Sequence, residues 1–341
     1  MFVFAGVALS HSAESGGSEP VVVPVAFSGY GGLELMGELT IPPIEPTGGG
    51  YPAVLLLPGS GPTDRDGNQL PALRTDLLKQ VSDRLVRDGF ATLRFDKRAV
   101  PSRYGAVFPT DLRGMRTFFS WDAFVEDVVG ATVFLANRPE VDASRIGLFG
   151  HSEGALLALE AVHRKGMPLS PRAVVLAAGP GRPMGEVLAE QLGRNFARVG
   201  MPEPNQRETL AGLDRTIRVI RNTATVPRDV PPVLRPLFPP YIGLYMQGLL
   251  GADPVGLARR APGSVLVLQG GSDIQISAER DARPLFQALQ SRRGRHSELR
   301  IVPGASHNFK AVADPDKEPG FLGDVIPEAL DAVSRFLRDR L

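Results

Sequence analysis

The chain contains no cysteine, which excludes disulfides, thiolate metal sites and a cysteine nucleophile. It has almost no net charge, +1 at pH 7 from 38 basic and 37 acidic side chains interleaved along the sequence. No basic stripe is present that could neutralise a run of phosphates, so nucleic acid is not expected as a partner. No uninterrupted apolar stretch approaches the roughly 20 residues of a membrane span. The 38 glycines and 31 prolines follow no period, so neither collagen nor a solenoid fits. What is there is ordinary globular material: 43% hydrophobic and 22% charged residues over 341 positions suffice for a sizeable core.

Residues 1–20 read as a tail or short signal-like segment. Phe2 to Leu9 is apolar and small residues surround Ala13, but no Lys or Arg precedes the run. This pattern favours export, periplasmic or secreted, over the cytoplasm. Val21–Phe27 and Leu33–Ile41 carry strand-forming residues around a Ser-Gly-Tyr-Gly-Gly turn, which predicts an antiparallel start.

After the loop at 42–50, strands alternate with helices. Apolar runs at Ala53–Leu57, Ala91–Phe95, Arg145–Phe149 and Ala173–Ala177 predict buried strands. Helical spacing marks Leu73–Arg87, Trp121–Asn137 and Ala155–Arg164. This is the pattern of an α/β fold with a mostly parallel sheet covered on both faces. The alternation stops at 182–262, where helices are predicted near 184–199, 206–222 and 241–250 around a Pro-rich stretch. That segment is expected to be an inserted helical cap. The catalytic core then comprises 21–181 and 263–341, with strands at Val265–Gln269 and Leu299–Val302 and an amphipathic helix over 325–340.

Gly150-His151-Ser152-Glu153-Gly154 matches G-x-S-x-G. The bare pattern is weak, but here a predicted buried strand leads in and a helix leads out, which is the setting a nucleophile elbow requires. A serine alcohol is a poor nucleophile, so its Oγ must project from a sharp turn toward a base, and flanking glycines permit that turn. The competing reading is a glycine-rich turn with an incidental serine. The partners are expected in the order acid, then histidine. Asp273 follows the strand 265–269 and is assigned the acid; it could instead cap the helix beginning near Ser277, and Asp281 is the fallback. His307 follows the last strand and is assigned the general base. His151, next to the serine, is expected to pack beside the elbow and point away from it.

Two backbone N–H groups should face the developing alkoxide. Glu153, following the nucleophile, is assigned one. The loop Pro58-Gly59-Ser60-Gly61-Pro62 supplies the other, with Ser60 ahead of Gly61 because Pro58 cannot donate. Asp64-Arg65-Asp66-Gly67-Asn68 resembles the start of a calcium loop, but its glycine is misplaced and Thr75 stands where a bidentate glutamate should be, so no metal is assigned. Arg65 is read as bracing the loop, with a substrate carboxylate as the alternative. Asp96, Lys97 and Arg98 are read as a salt-bridged strand end. The apolar positions Leu234, Leu237, Phe238, Tyr241, Leu244, Tyr245 and Met246 are read as core, some of them lining an acyl pocket.

From about residue 51 to the end, the chain resembles bacterial α/β-hydrolase esterases. LLLPGSGPTDRDGN (55–68), RFDKR (94–98), GHSEG (150–154), GGSD (270–273) and GASHNF (304–309) are similar to the EstD-like esterases and their serine aminopeptidase-like and dienelactone hydrolase-like relatives. The resemblance implies hydrolysis of small acyl esters without metal or organic cofactor, and carries Ser152, Asp273 and His307 over as the triad. The glycine expected after RFDKR is Ala99 here, so the loop that follows departs from the family's pattern. Peptidase, amidase or thioesterase activity would use the same residues, and a catalytically silent binding protein on the same fold remains the alternative of another class. Nothing in the sequence specifies an oligomeric state.

Overall fold

The computed structural model describes residues 19–46, 48–315 and 320–341. The apolar tip on which the export expectation rests lies outside these residues. Among the described residues, no helix is long and apolar enough to cross a membrane.

Eight strands make one sheet: β1 (Val21–Ser28), β2 (Glu34–Ile41), β3 (Tyr51–Leu57), β4 (Ala91–Phe95), β5 (Val141–His151), β6 (Ala173–Ala177), β7 (Ser264–Gly270) and β8 (Ser297–Val302). Their spatial order is β1-β2-β4-β3-β5-β6-β7-β8. β2 runs antiparallel to both β1 and β4, and every other pairing is parallel. The antiparallel start and the parallel remainder are as the sequence predicts.

Helices connect and cover the strands. In chain order they are α1 (Leu77–Arg87), α2 (Pro101–Tyr104), α3 (Leu112–Phe118), α4 (Trp121–Ala136), α5 (Glu153–Ala161), α6 (Met184–Arg198), α7 (Glu203–Thr223), α8 (Gly243–Gly251), α9 (Pro254–Arg260), α10 (Arg283–Gln290) and α11 (Pro327–Arg338). The strand β3 shows why the central run is apolar throughout. Its side chains alternate between faces, so Ala53, Leu55 and Leu57 join one core layer while Val54 and Leu56 join the other. The second layer is closed by α1 and α11, whose apolar stripes place Leu77, Val81 and Leu85, and Val333, Phe336 and Leu337, against the sheet.

The first layer is larger because it continues into the segment between β6 and β7. There α6, α7 and α8 bury Phe196, Leu213, Ile220, Tyr245, Met246 and Leu249 in the same core as the sheet. The helix α8 rests on α4, and a Cβ at Gly248 would stand 2.4 Å from Trp121, so only glycine permits that approach. The helix α9 lies against α5 and α10 on the face of the sheet.

Most boundaries fall within a few residues of those expected, and the larger shifts have local causes. The predicted helix 73–87 starts at Leu77 because Asn68 Oδ1 takes the N–H groups of Thr75 and Asp76, and Asp76 turns left-handed. Ser120 caps α4 as expected, accepting from Ala123 N–H at 3.3 Å.

Candidate active site

The elbow is built by contacts that only glycine allows. Strand β5 ends at His151, α5 begins at Glu153, and Ser152 between them has φ 55° and ψ −121°. Such a conformation costs a non-glycine residue about 1–3 kcal/mol and persists only where the surroundings impose it. Here they do. A Cβ at Gly150 would lie 2.3 Å from Gly154 O, and a Cβ at Gly154 would lie 2.5 Å from Leu57 O. The serine N–H is tied to Ala177 O at 2.8 Å on the neighbouring strand.

The turn after β7 carries Asp273, whose side chain is fully buried. Its Oδ1 accepts from the N–H groups of Gln275 (2.7 Å) and Ile276 (3.0 Å), while Oδ2 accepts from Gln269 Nε2 at 2.9 Å. Oδ2 also stands 2.8 Å from Nδ1 of His307, on the loop after β8. Burial pushes the carboxyl group up, but His307 and the two backbone donors outweigh it and hold Asp273 below the usual carboxylate range. Asp273 does not cap the following helical turn, whose N-cap is Ser277, accepting from Arg280 N–H; its carboxylate orders the turn before it with one oxygen and holds the imidazole with the other.

The loop carrying His307 is self-braced. Ser306 Oγ accepts from the N–H groups of Asn308 and Lys310 and donates to Gly320 O at 2.8 Å. His151 packs beside the elbow as expected, and its Nε2 stands 2.9 Å from His307 O, linking elbow and histidine loop directly. Burial, with a smaller contribution from His307, lowers His151 to about 3, so it is neutral. A neutral ring facing a carbonyl must place its proton on Nε2.

Ser152 and His307 line one cavity of about 220 Å³. Among the described residues no hydrogen bond reaches the Ser152 hydroxyl. Ser60 and Glu153 line the same cavity, and among the described residues neither N–H donates to a protein acceptor. Gly59 brings the loop after β3 against the nucleophile: a Cβ on it would lie 3.3 Å from Ser152 Cβ. Ser152, Asp273, His307, Ser60 and Glu153 thus converge at the C-terminal ends of β3, β5, β7 and β8, where open parallel sheets bind ligands.

A profile of the alpha/beta hydrolase family matches residues 54–318, most of the chain. The chain belongs to the α/β-hydrolase family. It is 31% identical over 258 residues to esterase EstD of Thermotoga maritima, a match covering 76% of this chain and 54% of that protein, so it spans only about half of its relative's length. The structures of a dienelactone hydrolase from Anabaena variabilis and of Est1E from Butyrivibrio proteoclasticus share the fold. The first has a TM-score of 0.51 at 21% identity, covering 95% of this chain and 97% of the other. The second has 0.54 at 14%, covering 93% and 98%.

Other candidates of this α/β-hydrolase are committed elsewhere. Asp281 is fully buried but pairs with Arg182 at 2.8 Å and accepts from the N–H groups of Gly181, Arg182 and Ser277. Arg65 forms a fork with Asp96, 2.6 Å at the closest, and donates to Gly37 O; it braces the loop and does not line the cavity. Gly61 is likewise outside the lining, in a turn at φ 86°. The Asp64–Asn68 loop closes on itself, with Asp64 Oδ1 accepting from the N–H groups of Asp66 and Asn68. None of the seven apolar positions between 234 and 246 lines the cavity. Its apolar wall comes from Leu73, Leu77, Leu78, Met184, Ile276 and Phe321.

The strand end 96–98 divides three ways. Asp96 takes Arg65 and Arg103, Arg98 takes Asp127, and Lys97 takes Glu153 at 2.8 Å. The phenol of Tyr245 donates to the other oxygen of Glu153. Sequence reasoning missed this last group. The available signal was an acidic residue directly after the nucleophile, at a position that the elbow must bury and that therefore needs a cation.

Proposed function

We propose that the protein is a serine hydrolase that cleaves carboxylic esters of uncharged, short-to-medium acyl groups through an acyl-enzyme. The observation that carries this reading is the 2.8 Å contact of His307 Nδ1 with buried Asp273, on a cavity shared with a strained Ser152. With Nδ1 committed to the carboxylate, Nε2 is left to take the proton from Ser152 as Oγ attacks the carbonyl. The resulting alkoxide is received by the N–H groups of Ser60 and Glu153. His307 returns its proton to the leaving alcohol, then activates water to release the acid and restore the serine. Asp273, held ionised, stabilises the imidazolium at each step.

The kinship with EstD supports ester hydrolysis, and the lining supports neutral substrates. Among the described lining residues no arginine or lysine awaits a substrate carboxylate, and the one carboxylate, Glu153, is already paired with Lys97. A free α-amino group or a lactone carboxylate therefore finds no counter-charge. The helical segment from α6 to α8 acts as a cap, with Met184 and Gln191 of α6 forming its contribution to the wall.

A panel of p-nitrophenyl esters and aminoacyl p-nitroanilides tests this. Turnover is expected on esters, with labelling by a fluorophosphonate, and Ser152→Ala should abolish both. Preference for the anilides would reassign the enzyme to amide cleavage; no turnover and no labelling would make it a binding protein.

A further inference from the structure

We propose that Lys97 is the positioning residue of the oxyanion hole and that Tyr245 extends its grip into the cap. The inference rests on the reading of Ser60 and Glu153 as the alkoxide donors. Lys97 follows β4, its side chain only 4% exposed, and its Nζ donates to two groups on different segments: Gly59 O at 3.0 Å and Glu153 Oε1 at 2.8 Å.

The first contact matters because Gly59 C=O and Ser60 N–H belong to one peptide unit. That unit is planar and trans, so its carbonyl and its N–H point in opposite directions. An ammonium holding the carbonyl fixes where the N–H points. It also polarises the amide, which strengthens the N–H as a donor. The glycine at 59 would otherwise leave this plane free to rotate. The second contact anchors Glu153, whose own N–H is the other donor, at the first residue of α5. One cation therefore aligns both halves of the hole.

The far side of Glu153 is held by the cap. Tyr245 on α8 donates to Oε2, and its ring packs edge-on against Trp121 and Phe124 of α4, with centroids 5.7 Å and 5.3 Å apart. Phe124 also receives Lys97, whose Nζ lies 5.1 Å from its centroid. A buried salt bridge is weak evidence of a stabilising role, since such pairs are often replaced whole by apolar side chains without loss. Here the contacts of Lys97 with the peptide that carries one donor and with the residue that carries the other give the pair a use in catalysis.

The test compares wild type with Lys97→Met and with the double variant Lys97→Met/Glu153→Gln, which removes both charges and so keeps the site neutral if the single variant fails to fold. Readouts are kcat, KM and the affinities of a trifluoromethyl ketone, which forms an alkoxide on the serine, and of the matching alcohol, which does not. Removing an oxyanion donor costs about 10²–10³ in kcat, and losing its alignment should approach the lower figure, about 10². The ketone should weaken in parallel, while KM and alcohol binding stay within about threefold. Tyr245→Phe should show the same pattern with a smaller loss.

A folded double variant with kcat within about twofold of wild type overturns the proposal, as does equal weakening of ketone and alcohol. Ser152→Ala measured alongside separates the two readings. Turnover surviving in Ser152→Ala removes the serine mechanism and this proposal with it. Abolition there, with an unaltered double variant, removes this proposal alone.

Discussion

The two histidines at the site have opposite duties. In the proposed mechanism His307 exchanges protons, whereas His151 does not. His151 is lowered to about 3 by burial, against an ordinary value near 6.5. Between these values the unfolded chain binds a proton that the folded chain refuses, so stability is complete above about pH 6.5 and is lost as pH falls toward 3. The slope from this one group approaches about 1.4 kcal/mol per pH unit. His151→Gln retains an amide donor for His307 O but no longer titrates. Urea unfolding at pH 7, 6, 5 and 4 should therefore show a shallower acid decline in the variant by about one proton; parallel curves would show that His151 titrates alike in both states.

The turn between β5 and α5 depends on Gly154 as much as on the serine. A Cβ there meets two backbone oxygens, Leu57 O at 2.5 Å and Pro58 O at 2.7 Å, and backbone cannot give way as a flexible side chain can. Gly154→Ala should push the strand β3 and its loop apart from α5, at a cost of the order of 1–3 kcal/mol seen for overpacked interiors. Thermal unfolding measures the cost, and fluorophosphonate labelling of the folded fraction should fall because Ser60 and Ser152 lose their spacing. Undiminished labelling would mean that the elbow tolerates the methyl group.

This element was legible in sequence because the apolar strand, the five residues Gly150 to Gly154 and the apolar helix follow one another directly. The start of α1 was less so, since the Asn68 side chain that delays it lies several residues upstream and acts through space. The short helix α9 and the exact wall of the pocket were not legible at all. Leu73, Met184, Ile276 and Phe321 come from four separate segments, and no local pattern relates them.

Across the molecule, the segment from α6 to α9 has to be fastened to the sheet that it interrupts. Arg182, just before α6, is bound to Asp281 after β7, and the carboxylate also gathers three backbone N–H groups. Its side chain is fully buried while that of Arg182 is 13% exposed and also holds Glu190 at 2.8 Å, so removing the charge takes one of two carboxylates from the guanidinium and loosens two loops together. Asp281→Asn should cost about 1–3 kcal/mol in chemical denaturation, as expected when a charge-assisted buried hydrogen-bond partner is weakened while the arginine keeps Glu190. Because Asp273 and His307 do not share this cluster, the folded remainder should keep its fluorophosphonate reactivity. Loss of reactivity in folded protein would make Asp281 part of the catalytic apparatus.

Taken alone, the residue order was enough to specify the alternation of strands and helices, the elbow at Ser152, and the loops bearing Asp273 and His307. These features are written in neighbouring residues: apolar period, turn glycines, and a polar residue at the end of a buried run. Three matters waited for the folded chain: that Asp273 rather than Asp281 meets the histidine, that Arg65 turns to Asp96 and away from the cavity, and that Lys97 reaches Gly59 and Glu153. Each is a competition among charged side chains for partners far apart in sequence. Such contests are settled by which groups the sheet brings within about 3 Å, the reach of a hydrogen bond.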